Sequence, residues 1–141
     1  MLVASLPGNP LDYSETGMNT PVVSSRVVSL LERLGVQNEV QIIQARVEGY
    51  SEPYFILNTL KTIRCIDDTR CEEVVYWLPE DGRPDMLGQY QNVVGMKIDP
   101  AKVGDASIFR TWGWTVARIV TERIKNAMEA EGITGTTFIE V

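Results

Sequence analysis

The sequence contains no histidine, so it lacks the side chain that most often acts as a general base near neutral pH. Serine–histidine and cysteine–histidine nucleophiles and histidine-containing metal sites are therefore excluded. No Walker-type Gly-rich loop and no G-x-G-x-x-G fingerprint is present. These absences predict a chain with no catalytic residues, no bound metal ion and no cofactor.

Cysteine and long apolar runs are also scarce. Cys65 and Cys71 are the only cysteines, and their spacing matches no zinc site. No apolar run approaches the roughly 20 residues needed to span a bilayer, and the first residues lack the positive charge of a signal peptide. We therefore expect a cytoplasmic protein with no membrane partner, whose two thiols stay reduced.

Acidic residues outnumber basic ones, 19 to 13, which gives a net charge of −6. A surface of this sign repels phosphates, so the composition disfavours a nucleic-acid partner. The same charge can speed association with a basic protein by electrostatic steering. Solubility alone would explain the charge equally well, so composition does not separate the two interpretations.

The organisation of the chain predicts an irregular lead-in over residues 1–20 and one α+β domain over residues 21–141. The lead-in is rich in turn formers. A helix should follow, beginning at Ser24 or Ser25, or alternatively at Pro21, and ending at Gly35. Its apolar stripe consists of Val27, Val28, Leu30, Leu31 and Leu34.

Residues 119–133 resemble residues 22–36, which predicts a second capped helix near the other end of the chain. Thr121 matches the capping position and Gly132 matches the terminating glycine. A structural repeat and a chance convergence of two amphipathic helices explain this match equally well. In either case two main capped amphipathic helices are expected, one near each end of the domain.

Strand candidates lie between the two helices and after the second one. Because they follow one another without intervening helices, a mostly antiparallel sheet is expected. The stretch 54–66 has an ambiguous period, and part of it could be helical. The candidates are residues 40–47, 54–66, 74–78, 90–98, 108–112, 114–120 and 137–141.

Acidic residues concentrate between positions 67 and 85, at spacings that match no calcium loop or nuclease motif. A solvated acidic rim is the plainest interpretation. The functional alternative is a docking patch for a cationic partner, and a third is a small enzyme that uses the carboxylates near Asp67 and Glu80. The candidate partner-binding acids are Asp68, Glu72, Glu73, Glu80, Asp81 and Asp85.

An aromatic cluster at residues 109–114 adds Trp112 as a further candidate partner-binding residue, because tryptophan is enriched in interface hot spots. Tryptophans this close together also commonly belong to a core. Gly113 between Trp112 and Trp114 predicts a bulge or tight turn. Arg110 is expected to form an ion pair with Asp67 or Asp99, or a cation–π contact.

The sequence resembles a family of bacterial immunity proteins of polymorphic toxin systems, of the myxobacterial type. The resemblance rests on an ordered set of short motifs. They are Asn9–Tyr13, Arg64–Asp67, Trp77–Pro84, Gly88–Tyr90, Ile98–Pro100, Val103–Gly104, Ile108–Arg110, Trp112–Trp114, Ile119–Thr121, Ile124–Lys125, Gly132–Gly135 and Phe138–Val141.

This resemblance implies a protein that binds a cognate protein toxin and neutralises it, and it carries over no enzymatic residues. A basic nuclease would suit the acidic composition of the chain. The family's longer N-terminal region would, if missing here, leave an unpaired strand edge that favours a homodimer. Two alternatives from other classes stay open: the carboxylate enzyme, and an adaptor that self-associates through a strand edge.

Overall fold

The computed structural model describes residues 11–15 and 20–141, and within them it has two helices and nine strands. The predicted α+β class with mostly antiparallel strands is confirmed. The helices are α1 (Ser25–Arg33) and α2 (Glu122–Ala130). The strands are β1 (Tyr13–Glu15), β2 (Pro21–Ser24), β3 (Val40–Ala45), β4 (Tyr54–Thr59), β5 (Thr62–Ile63), β6 (Glu73–Tyr76), β7 (Tyr90–Val94), β8 (Ile108–Thr111) and β9 (Trp114–Val120).

Both helices end in the same hydrogen-bonded turn. After α1, the N–H of Gly35 bonds to the carbonyl of Glu32, and that of Val36 bonds to Leu31. After α2, the N–H groups of Gly132 and Ile133 bond to Glu129 and Met128 in the same pattern. This is the Schellman arrangement, in which a glycine takes the left-handed conformation. The glycine stops predicted from sequence are therefore confirmed.

The starts of the helices differ from the prediction in one respect. Ser24 and Thr121 occupy the N-cap positions with extended backbone, but neither of these two described side chains accepts a capping hydrogen bond. The Ser24 hydroxyl instead donates to the Asp12 carboxylate at 2.8 Å. Pro21, the rival start of the helix, lies in β2, because residues 21–24 pair with β1 and β4.

The main core lies where the two helices pack on the sheets. Val27, Leu30 and Leu31 of α1 are buried, as are Ile124 and Met128 of α2. Burial of each such side chain stabilises the fold by roughly 1.5–3 kcal/mol. The two short helices therefore turn these residues towards the core. Further members of this core are Val23, Val36, Val40, Leu57, Ile108 and Ile133.

Four strands form an antiparallel sheet in the order β1-β2-β4-β3. β1 lies within the segment 1–20 that we expected to be irregular, and it pairs with β2. Of that segment, residues 1–10 and 16–19 lie outside the described residues. The predicted strand 54–66 divides into β4 and β5, which pair in two different sheets.

A second sheet has the order β5-β8-β9, and its β5–β8 pair is parallel. Residues 64–107 therefore form the crossover between two neighbouring parallel strands. A smaller core of Cys65, Ile98, Ala106 and Phe109 lies beneath this crossover. Parallel neighbours need a long connection, and here the connection has a small sheet of its own.

That small sheet is a two-stranded antiparallel ribbon of β6 and β7. The predicted strand 90–98 stops at Val94, because Gly95 turns the backbone into the left-handed region with φ 58°. The predicted strand 137–141 is wrong: these residues have no regular structure. Phe138 and Val141 instead pack their side chains against the two cores. Among the described residues, no helix has the length and apolar character needed to cross a membrane.

Candidate functional site

The acids singled out from the sequence lie on the β6–β7 ribbon and in the segments that flank it. Glu73 begins β6, and Glu72 precedes it. Glu80, Asp81 and Asp85 lie in the connection between the two strands. The structure therefore places the predicted residues along one continuous stretch of the crossover, although their carboxylates do not converge on one point.

Residues 77–89, which we call the ribbon loop, form a closed loop between β6 and β7. The N–H of Trp77 bonds to the carbonyl of Gln89 at 3.1 Å, so the two ends of the loop lie side by side. Inside it, Pro79–Asp81 and Pro84–Met86 form two short 3₁₀ turns. Loops whose ends meet in this way are compact surface elements and are frequently functional.

Two acids of the ribbon loop form hydrogen bonds within the loop, one with the backbone and one with a side chain. The Asp81 carboxylate accepts a hydrogen bond from the N–H of Leu78 at 2.8 Å. Asp85 accepts two from the Arg83 guanidinium, at 3.2 and 3.1 Å. Hydrogen bonding to Arg83 lowers the pKa of Asp85, and the same bonds raise the pKa of Arg83. The Arg83 guanidinium also lies over the Trp77 ring, 5.8 Å from its centroid.

The ribbon loop is internally bonded and yet projects into solvent. Every residue from 78 to 85 is exposed. Leu78 and Leu87 are 48% and 46% exposed, which is unusual for two leucines in one short loop. Single exposed apolar residues need no explanation, but neighbouring ones often mark interaction sites. These two leucines were not among the residues predicted from the sequence, where the only signals were Pro79 directly after Leu78 and Pro84 three residues before Leu87.

Tyr90 anchors the ribbon to the second sheet. Its N–H bonds to the carbonyl of Gly113 at 3.0 Å, and its phenol donates a hydrogen bond to the Asp68 carboxylate. The Tyr76 ring stacks on the Tyr90 ring with centroids 5.2 Å apart. Burial, followed by the neighbouring Asp68, raises the pKa of Tyr90. The ribbon is thus attached to the second sheet at its base, while its loop is exposed to solvent.

Besides Asp81 and Asp85, two further predicted partner-binding residues are engaged within the chain itself. Asp68 is half-buried and receives the Tyr90 phenol. Trp112 is also half-buried, and the Arg64 guanidinium lies over its ring at 4.5 Å from the centroid. This cation–π contact is made by Arg64, whereas the sequence led us to expect one from Arg110.

Among the contacts of the described residues, Arg110 is paired with neither of the two acids proposed as its partners. Asp67 is 4.0 Å from Arg70, and Asp99 accepts a hydrogen bond from the N–H of Ala101 at 3.0 Å. Arg110 instead sits in β8 opposite Arg118 of β9. Burial and the nearby Arg118 charge lower the pKa of the Arg110 guanidinium. The predicted ion pair is therefore wrong.

A cavity of about 350 Å³ opens between the main core and β9, lined mostly by apolar side chains. Its polar wall is Arg118, whose guanidinium donates to the Tyr13 phenol and to Glu15 at 3.0 Å each, and to Thr59 at 3.1 Å. Burial raises the pKa of Tyr13 to about 12. These bonds tie β1 and β4 to β9, which accounts for the buried arginine without a ligand.

The described residues contain no group of three or more Cys, Asp or Glu side chains placed to hold a metal ion. Asp67, one of the acids considered for an enzyme, accepts a hydrogen bond from the Thr69 hydroxyl at 2.8 Å. Glu80 is exposed on the ribbon loop. In the described part of the chain, neither Asp67 nor Glu80 therefore belongs to such a metal-binding group.

Comparison with known proteins gives one match that covers almost the whole chain. The model of the immunity protein family Imm11 matches residues 5–141. A search of curated proteins finds no significant match. The matched region includes both sheets, both helices and the ribbon loop.

Proposed function

Because the chain belongs to the Imm11 immunity protein family, we propose that it binds a cognate bacterial toxin and neutralises it in a stoichiometric complex. The observation that carries this proposal is the family match over residues 5–141, since a match of that extent includes every described element of the fold. The chain would act in the cytoplasm of the cell that makes the toxin, by occupying a surface that the toxin needs.

The charge of the chain supports a basic toxin as the partner, and a nuclease is the class we favour. Nucleases bind a polyanion, so their substrate clefts carry excess positive charge that an acidic protein can complement. The surface proposed from the sequence comprises Asp68, Glu72, Glu73, Glu80, Asp81, Asp85 and Trp112. Of these, Glu72, Glu73, Glu80, Asp81 and Asp85 are exposed, which supports them as the contacts available to a partner.

The direct test is co-expression of this chain with the toxin domain encoded beside its gene. We expect the chain to restore growth and to co-purify with the toxin in a defined ratio, with a Kd in the nanomolar range or below. An interface of about 1,600 Å² with a few hot spots is sufficient for such affinity. Growth arrest while both proteins are well expressed and folded would overturn the proposal.

A homodimer is a second association that one observation favours. In the part of the chain that the structure describes, β3 pairs with β4 alone and so forms one edge of the four-stranded sheet. The strand has no charged residue and no proline, and Ile43 on it is 45% exposed. Edge strands without such protection pair readily with a second chain. If a second copy paired along β3, the two acidic proteins would meet along a strand that carries no charged residue.

Light scattering over a range of concentrations tests this association, with the Ile43→Lys variant beside the wild type. A lysine on an edge strand opposes pairing with another strand, so the variant should be monomeric where the wild type is dimeric. Val116→Lys, at another exposed apolar position of the fold, is the control. A wild-type chain that stays monomeric at high micromolar concentration would remove the homodimer.

A further inference from the structure

The ribbon loop presents two exposed leucines on a backbone that is already fixed by its own hydrogen bonds. We infer that Leu78 and Leu87 are the central anchors of the toxin interface and enter an apolar recess on the toxin that is flanked by lysine or arginine side chains. This inference rests on the proposed function, and it specifies the element that makes the contact.

The first argument is the energetic cost of leaving the leucines in water. Each exposes nearly half of its surface, at 48% and 46%, within ten residues of the other. Among the described residues, the ribbon and its loop also expose Tyr76 and Val94, at 39% and 38%. Removing apolar surface from water is the main source of affinity at the centre of an interface. The loop therefore offers a partner more apolar surface than a solvated turn requires.

The second argument is preorganisation. Binding orders flexible loops at a cost of about 0.5–1.5 kcal/mol for each mobile side chain that becomes fixed. Here the Trp77–Gln89 bond closes the loop, Asp81 holds the N–H of Leu78, and Arg83 clamps Asp85. Pro79 and Pro84 restrict the backbone further. Little conformational freedom is left for the loop to lose when it docks.

The third argument is charge, which identifies the kind of recess that the leucines would enter. Glu80 and Asp81 follow Leu78 almost directly, and Asp85 precedes Leu87 by two residues. Asp85 is already paired with Arg83. Among the described contacts, Glu80 is the acid near Leu78 whose carboxylate has no partner within the chain. A recess with an apolar floor and a basic rim complements this arrangement, whereas an acidic rim would repel it.

The test uses the full chain and the toxin domain encoded beside its gene, inactivated by substitution in its own catalytic site. Binding is measured for the wild type, for Leu78→Ser/Leu87→Ser, and for Leu60→Ser as the matched control. Leu60 is 54% exposed in the turn between β4 and β5, away from the ribbon loop in sequence and in the sheet order. Thermal unfolding of each variant shows whether the substitutions leave the fold intact.

We expect the double leucine variant to raise Kd by at least about 30-fold, the size typical of hot-spot residues, while Leu60→Ser changes it less than threefold. Glu80→Lys should lower the association rate about tenfold at low salt and reduce its dependence on salt, with Glu48→Lys as its control. Should the wild type bind tightly and the double leucine variant bind equally well, the inference is wrong while the proposed function stands. Should the wild type itself not bind, the proposed function has failed.

Discussion

The carboxylate of Asp12 accepts hydrogen bonds from the backbone N–H and the hydroxyl of Thr134, at 3.0 and 3.2 Å, across 122 positions of sequence. The same carboxylate accepts from the Ser24 hydroxyl at 2.8 Å and from Arg26 at 3.0 Å. Three segments therefore meet at one acid: the residues before β1, the start of α1 and the turn after α2. Burial alone would raise the pKa of Asp12, but the bonds from Thr134 and Ser24 and the Arg26 charge together lower it.

Asp12→Asn should destabilise the fold by about 1–3 kcal/mol at neutral pH, because the amide keeps the shape of the side chain but loses the charged acceptor. The folded pKa of Asp12 lies below its unfolded value of about 3.9, so its stabilisation is present above that value and is lost as pH falls through the folded pKa. The difference between wild type and variant in urea unfolding should therefore shrink as pH is lowered from 6 to about 3. Asp105→Asn, at an exposed acid, is the control. Equal stability of Asp12→Asn and wild type at pH 7 would show that the three-segment junction contributes nothing.

Gly113→Ala should loosen the ribbon. Gly113 has φ 84°, and a Cβ there would lie 3.0 Å from the Tyr90 ring. Gly104→Ala is a matched control, because Gly104 has φ 66° with open space around it. Both variants incur left-handed strain of about 1 kcal/mol, but only Gly113→Ala should also speed amide hydrogen exchange across β6 and β7. The same exchange rates in the two variants would contradict the anchoring role of Tyr90.

Glu39 and Lys61 should be coupled in a double-mutant cycle. Glu39 is buried, and its Oε1 accepts from the Ser107 N–H at 2.8 Å and from Lys61 at 3.2 Å. Burial would raise the pKa of Glu39, but the bonds from Ser107 and Lys61 lower it below its usual value. With Glu39→Gln and Lys61→Met, we expect a coupling of about 0.5–1 kcal/mol, since Lys61 is 43% exposed and solvent screens the pair. The coupling should decrease in 1 M salt, and a value unchanged by salt would indicate that charge is not its source.

Cys65 and Cys71 are both free thiols in the structure but should differ in reactivity. Cys65 is 1% exposed, and burial raises the pKa of its thiol. Cys71 is half-buried, with its sulfur 3.2 Å from the Asp67 carbonyl. In a thiol-reagent assay without reductant, we expect only Cys71 to react in the folded chain and both to react after denaturation. Fewer than two reactive thiols in denaturant would reveal a disulfide.

Local patterns in the sequence identified the two helices, because their signals lie within each segment. The apolar residues of α1 specify its buried face, and the glycine after it specifies where the helix ends. Both signals are local and do not depend on the rest of the chain. Strand ends were less accurate because they depend on partners. Residues 137–141 have strand-like composition, but among the residues that the structure describes no strand pairs with them, and Phe138 and Val141 pack by their side chains.

The environment of the predicted partner-binding residues could be read only in part from the sequence. Runs of acid predicted an exposed surface at residues 68–85, and most of those acids are exposed. The internal roles of Asp68 and Trp112 depend on Tyr90 and Arg64, which reach them from distant segments. A single sequence does not reveal such pairs. The exposure of Leu78 and Leu87 was equally hidden, because only the closed shape of the ribbon loop keeps them out of the core.

The parallel pairing of β5 with β8 sets the register of the second sheet independently of the length of the ribbon loop. The ribbon loop can be lengthened or exchanged while Thr62 keeps its place beside Arg110, because the cost of closing a loop rises only slowly with its length. A family that must follow changing toxins would gain from this arrangement. If the ribbon loop contacts the toxin as we propose, grafting a relative's loop between Tyr76 and Tyr90 should retarget the protein without removing the buried residues of the crossover.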